Sequence, residues 1–387
     1  MGRHGDDTRR RGVAGWLVAT VIGVVVALAA GITWVVFLNS DSGSGVVDTT
    51  CTGRTRIDIA AGGAAPGLRA VAAAFNATAP EARGRCLSAQ INQVAATQVA
   101  DALPSGWTGQ ASPLPVVWIP DTPADVASVA ATAPELVAGY NDAVIASSPV
   151  VLAVAGGPAP GASPSWSELL TAVAGGSAPA LADGTPFTLA VGDPRLDPAT
   201  AYALESMIAV GDAAVTTADV QAATDRLLAL AGRSAVSSTA ADLLDDLAVG
   251  SLTFSAVPAL EATVLGYNAD AATPLQVLRP SGPTAGDQLT AIALSASWVG
   301  VDQAEGAAAF IKFLRSPVAT TLLQQAGWRV PGTTATTTDG IDPAVPVTVL
   351  EPSGDRVAVA LASALGLPGV PASGTDPGTG SAAPTTP

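Results

Sequence analysis

Between residues 12 and 40 the sequence carries no charge, and Arg3, Arg9, Arg10 and Arg11 stand directly before that run. Its apolar part, residues 13–38, would be about 39 Å long as a helix at about 1.5 Å per residue. That exceeds the hydrocarbon thickness of a bilayer, about 30 Å. Trp34, Val35, Val36, Phe37 and Leu38 continue the run past Ala29, Ala30 and Gly31, longer than the apolar stretch of a cleaved signal peptide. The reading is therefore an uncleaved single-pass helix over 13–38; the alternative is a signal peptide that is removed. Trp16 and Trp34 lie towards its ends, where an indole suits the interface. The arginines place residues 1–12 in the cytoplasm and everything after the helix outside, so the expected location is the cell membrane with the bulk extracytoplasmic. Residues 39–50 form a polar Gly/Ser linker.

Composition outside that helix narrows the chemistry. After residue 12 there are 13 basic and 30 acidic residues, a balance that repels phosphate backbones and anionic headgroups, so nucleic acid is not an expected partner. His4 is the only histidine and Lys312 the only lysine. A Ser-His-Asp triad, a Cys-His dyad and a His-ligated metal site cannot be built in the folded part. An enzyme is not expected, nor a metal or cofactor. Cys51 and Cys86 are the only cysteines; on an oxidising side they read as a disulfide. No lipid-attachment motif precedes Cys51, which follows Asp48, Thr49 and Thr50.

From residue 51 onward, strand and helix signals alternate. Strands are expected at 54–60, 86–91, 115–119, 187–191, 252–257, 275–278 and 290–294. Leu68, Val71, Ala72 and Phe75 recur at helical spacing, and further helices are expected at 94–103, from 123, at 199–210, after Thr217 and Ser238, over 303–314 behind Asp302 and Glu305, and from Ser316 to before Gly327. From Gly366 the chain turns to Gly, Pro, Ser, Thr and Ala without periodicity, which reads as a disordered tail. The alternation implies an α/β fold with largely parallel sheets. In such sheets ligands bind beyond the carboxyl ends of strands, near helix N-termini.

The order of segments resembles a type 2 periplasmic solute-binding protein, nearest to the actinobacterial membrane-anchored subgroup often associated with a von Willebrand factor A domain. The pieces are Cys51 before the first strand, Phe75-Asn76 at the end of the first helix, Arg85-Cys86-Leu87, and Trp118-Ile119-Pro120-Asp121. They continue with the run from Ile145 through Ser147, Ser148 and Pro149 to Val154, then Gly192-Asp193-Pro194, Val257-Pro258-Ala259-Leu260-Glu261, Gly266-Tyr267-Asn268 and Gly327-Trp328-Arg329. The resemblance covers residues 51–332. It implies a two-lobed periplasmic-binding-protein type 2 fold: lobe 1 from 51–145 and 256–332, lobe 2 from 146–255, with 333–387 as an extension and tail. The chain would cross between lobes near 146–150 and 255–261. No metal-binding Asp-x-Ser-x-Ser follows residue 332, so if the family works through a von Willebrand domain, this chain is expected to lack it or to borrow it from a partner.

Eight residues are candidates for ligand contact. Gly62 and Gly63 permit close backbone approach ahead of a helix N-terminus, or simply make a tight turn. Asp121 faces the same end, or caps the next helix. Ser147 and Ser148 lie on the crossing into lobe 2, or merely terminate a strand. Asp193 is a ligand contact or a turn residue before proline, and Arg195 an oxyanion partner or a surface residue. Glu261 is flanked by apolar residues, so burial would require a partner. The expected function is capture of a small ligand by hinge closure, with a ligand-free envelope scaffold or sensor that binds a protein partner as the alternative. The scarcity of basic residues near the cleft favours a neutral or weakly charged ligand over sulfate or phosphate.

Overall fold

The computed structural model describes residues 51–62, 67–141, 143–154, 164–178, 180–181, 183–236, 240–250, 253–333 and 347–368. The expected membrane helix, the linker, Gly63, Ser238 and the tail beyond 368 lie outside them. No helix among the described residues is long and apolar enough to cross a membrane.

The elements run β1 (Arg54–Ala61), α1 (Leu68–Ala77), β2 (Glu81–Ala82), β3 (Arg85–Gln93), α2 (Ala96–Ala102), β4 (Val117–Ile119), α3 (Pro123–Thr132) and β5 (Ala146–Val154). Then come α4 (Trp166–Gly175), β6 (Ala190–Val191), α5 (Pro198–Ile208), α6 (Thr217–Ala231), β7 (Ala235–Val236), α7 (Ala240–Ala248) and β8 (Ala256–Leu260). The chain closes with α8 (Glu261–Asp270), β9 (Gln276–Leu278), β10 (Gly286–Leu289), β11 (Ile292–Ala293), α9 (Val301–Phe313), α10 (Pro317–Gln325) and α11 (Asp355–Ala364).

Two main sheets define two lobes. The first has strand order β11-β4-β1-β3-β2, with β1 parallel to both β3 and β4. Ile57 to Ala61 of β1 are all buried, as a parallel strand covered on both faces requires. One face packs α1, α9 and α10 through Phe75, Phe310 and Leu323; the other packs α2 and α3 through Val99 and Val129. The second sheet centres on β5, which pairs antiparallel with β8, β9 and β10. Its faces carry Trp166, Leu204 and Leu227 on one side, and Leu243, Leu244 and Val264 on the other.

Helix starts follow their side chains. Thr122 Oγ1 accepts the Asp125 N–H while Asp125 accepts the Thr122 N–H at 2.9 Å, and Ser165 with Glu168 and Thr216 with Asp219 repeat the arrangement. Each such cap contributes about 1 kcal/mol. The cap before α6 is thus Thr216 rather than Thr217. At α9 the Gln303 side chain accepts the Gly300 N–H at 3.0 Å, in place of the expected Asp302–Glu305 box.

The crossings between lobes differ from expectation at one point. β5 runs beside β10, with Ala146 opposite Leu289. The return was expected near 255–261. There, Val150 to Val154 pair with all of β8, which keeps Ala256–Leu260 in the second sheet. The chain comes back instead through β10 into β11, which joins β4. An apolar strand that changes lobes and one that extends its own sheet carry the same pattern, so composition does not separate them.

Cys51 and Cys86 are bonded, fastening the residues before β1 to the start of β3. On the chain-entropy model a loop of this length contributes about 3–4 kcal/mol. Cys51→Ser with Cys86→Ser is therefore expected to lower the calorimetric melting temperature by several degrees, whereas an unchanged transition would show the crosslink to be energetically idle.

Candidate functional site

The loops at the ends of β4 and β6 and the strand β10 contribute to one cavity of about 180 Å³. Its polar lining is Asp121, Asp197, Tyr202, Thr263 and Asp287, and its apolar wall includes Leu244 and Leu260. Among the described residues no Lys or Arg contributes to that lining.

Each acidic group is placed by its own local structure. Asp121 follows the end of β4, but Thr122 and Asp125 do the capping of α3, which leaves the Asp121 carboxylate to lie over the backbone of Gly62. A Cβ on Gly62 would overlap that carboxylate, so glycine is required there by close approach. Asp197 precedes Pro198, the first residue of α5. Its Oδ2 accepts the Thr200 hydroxyl at 2.6 Å, and Thr200 Oγ1 in turn accepts the Gly192 N–H at 2.8 Å. One turn into α5, Tyr202 turns its ring to the cavity. Asp287 sits on β10, opposite Ser148.

These groups perturb one another. Burial pushes Asp287 up to about 7, with the Asp121 charge adding to it. Burial likewise pushes Asp121 up to about 6, with Asp125 contributing. Asp197 is raised by burial and partly held down by Thr200. The Tyr202 phenol is raised well above its ordinary value, first by burial and then by the surrounding carboxylates. Glu205, on the same helix and outside the cavity lining, is pushed up to about 7 by burial. No ion pair reaches Asp121, Asp197 or Asp287 among the described residues.

A pH dependence follows. The folded pKa values of Asp121, Asp287 and Glu205 lie above their ordinary range near 4, so the folded state holds more protons between about pH 4 and 7. Stability is then highest below that window, falls as pH rises through it, and levels off above about 7. Asp287→Asn is expected to raise stability at pH 8 by about 1–2 kcal/mol and to flatten the profile. Melting curves across pH 5–8 check this; a variant that melts lower at pH 8 would contradict it.

The other sequence candidates fall elsewhere. Ser147, Ser148, Gly286, Gln288 and Arg329 line an adjoining hollow on the other side of Asp287. Ser148 is fully buried and its Oγ accepts the Ala262 N–H at 3.0 Å, which caps α8. Ser147 exchanges backbone hydrogen bonds with Arg329. Glu261 is also fully buried. Its Oε1 accepts from Arg279 Nη2 at 2.6 Å and its Oε2 from Arg329 Nε at 2.6 Å. It clasps the hinge and does not line the cavity. Asp193 and Arg195 bind each other, and Arg195 Nη1 also donates to the Pro368 carbonyl at 2.9 Å. Among the eight candidates, Asp121 lines the cavity with Gly62 packed against its carboxylate, and Gly63 lies outside the described residues.

Sequence reasoning passed over Asp197, Tyr202 and Asp287. Asp197-Pro198 repeats the Asp193-Pro194 pattern four residues later, and that repeat was the available signal. Asp287 sits in no motif. Among the described residues no group of three or more His, Cys, Asp or Glu side chains could hold a metal ion.

A family model described as bacterial extracellular solute-binding protein matches residues 57–329. No curated protein matches the sequence. Several solved structures share the fold. Apo ferric ion-binding protein A from Pasteurella haemolytica aligns with TM-score 0.55 at 11% identity, covering 80% of this chain and 96% of its own. Iron-bound HitA from Pseudomonas aeruginosa aligns with TM-score 0.54 at 13% identity, covering 81% and 100%. A periplasmic thiamin binding protein aligns with TM-score 0.53 at 13% identity, covering 81% and 95%.

Proposed function

The chain belongs to the bacterial extracellular solute-binding proteins, and from that premise we propose that it captures a small organic solute in the cavity between its lobes. The β5–β10 pair is the hinge about which the lobes close. The observation that carries this reading is the cavity itself: it is open, and its polar groups arrive from both lobes and the hinge. A scaffold that had lost its ligand would be expected to fill such a space with side chains.

The ligand is neutral or positively charged, not a multivalent oxyanion. Asp121, Asp197 and Asp287 would repel sulfate or molybdate at close range, and Arg195 and Arg329 are already engaged, with Asp193 and Glu261. The thiamin-binding relative in fold is consistent with an organic ligand, and among the described residues no group of three or more His, Cys, Asp or Glu side chains could hold a metal ion. The protein acts as a receptor and not as a catalyst, tethered outside the cell by the helix expected over 13–38. The von Willebrand-associated subgroup is the nearest fit within the family.

Thermal-shift measurements on the full chain test this reading. A solute present at about one hundred times its Kd adds about 2.7 kcal/mol to stability, so an organic solute is expected to raise the melting temperature while sulfate and molybdate do not. Stabilisation by the oxyanions alone would overturn the reading.

A further inference from the structure

We propose that the interlobe cavity selects an organic cation, a positively charged nitrogen group carried on an apolar frame. This rests on the solute-capture reading and specifies its ligand class. Asp121, Asp197 and Asp287 line the cavity together with the apolar residues Leu244, Ala259 and Leu260 and with Tyr202. Asp287 keeps a part of its surface toward the cavity while its carboxylate is otherwise enclosed by protein. Among the described residues no basic side chain forms an ion pair with it. A buried carboxylate left in this state lacks the counter-charge that makes ionisation favourable, and a bound ammonium would supply it.

The charges that act on Asp287 are Asp121 and Asp125, at the end of β4 and the start of α3. Asp197 and Tyr202, at the start of α5, line the same cavity. On the far side of β10, Arg329 shares the adjoining hollow with Asp287, and its guanidinium is held by Glu261. The cavity side is thus uniformly acidic. Among the described residues no three His, Cys, Asp or Glu side chains converge to hold a small metal ion. An ammonium spreads its charge over a larger volume and needs only hydrogen-bond acceptors, while the apolar wall takes up its carbon frame.

A cation favours ionised carboxylates, so its binding displaces the protons that the empty cavity retains near neutral pH. Affinity should then rise with pH and level off above about 7. A neutral solute that accepts from a protonated carboxyl would show the reverse slope, and so would an anion.

The test uses the full chain and a fixed panel: choline, putrescine, agmatine, thiamine and cyclohexylammonium, each beside a neutral counterpart such as 3,3-dimethylbutan-1-ol for choline, together with sulfate. Melting shifts at pH 8 select the best binder, which is then titrated calorimetrically at pH 5, 6.5 and 8 in two buffers of different ionisation enthalpy. The expected result is a cation that binds about tenfold or more tightly at pH 8 than at pH 5, with proton release. Its neutral counterpart should be silent, and the preference should be lost in Asp287→Asn, whose own melting curve reports that it folds. Equal binding of the neutral counterpart, or affinity that rises toward low pH, overturns the cation and leaves solute capture standing. Silence from the whole panel, charged and neutral, overturns both.

Discussion

Replacing Glu261 with alanine is expected to cost about 3–5 kcal/mol of folding stability, the range for removing one partner of a buried charge cluster. The side chain is fully buried and accepts from two arginines that reach it from different parts of the chain, Arg279 after β9 and Arg329 after α10. The clasp therefore ties the second sheet to the closing turn of the first lobe. Deleting the carboxylate leaves two nearly enclosed guanidinium groups without the anion that holds them, 18% and 14% exposed. Urea unfolding at pH 7 measures the loss directly. Replacing all three residues by apolar ones of similar volume should recover much of it, because the cluster's own desolvation is then removed as well. A Glu261→Ala variant within about 1 kcal/mol of the parent would show that water or other groups already satisfy the arginines.

Truncation at residue 346 is expected to be more damaging still. α11 lies against α6, and Leu350, Val357, Leu361 and Leu365 are buried in the core of the second lobe. The preceding strand segment is also tied in, with Thr284 and Leu350 exchanging backbone hydrogen bonds with residues 348 and 284. Burying one large aliphatic side chain contributes about 1.5–3 kcal/mol, so losing four approaches the whole stability of an ordinary domain, about 5–15 kcal/mol. The truncated chain should yield a protease-sensitive second lobe. Removing only residues 369–387, which read from composition as an unpatterned tail, should change stability by less than about 0.5 kcal/mol. A soluble, cooperatively unfolding protein ending at residue 346 would contradict this account of the segment.

That segment also marks where the sequence stopped being legible. Val357-Ala358-Val359-Ala360-Leu361-Ala362 alternates large and small apolar residues, a pattern as close to a strand as to a helix, and it precedes an obvious low-complexity tail. Only packing against α6 decides it. By contrast β1, α1 and β3 were readable, because Leu68, Val71, Ala72 and Phe75 mark a helix face and the flanking strands are continuous apolar runs. Ser316-Pro317 likewise announced α10 by its cap. At the site, Asp121 was legible because it ends a tryptophan-bearing strand. Glu261 was legible as a buried carboxylate in need of a partner, but its partners lie 18 and 68 residues away, a pairing no local pattern encodes. Asp287 was not legible at all. Its position depends on β10 joining β5, and the register of an antiparallel pair across nearly 140 residues of chain is a tertiary property.

The central claim is that a small organic solute enters the cavity between Asp121, Tyr202 and Asp287. The most direct measurement is a calorimetric titration of the full chain, and of a Thr263→Trp variant, with whichever solute shifts the melting temperature most. Thr263 lines the cavity and is only half-buried, so an indole there occupies ligand space while the fold is retained. The account predicts one site per chain in the parent and binding at least about one hundredfold weaker in the variant, a difference near 2.7 kcal/mol. Equal affinity in the two proteins, both folded by their melting curves, would place the ligand elsewhere and contradict it.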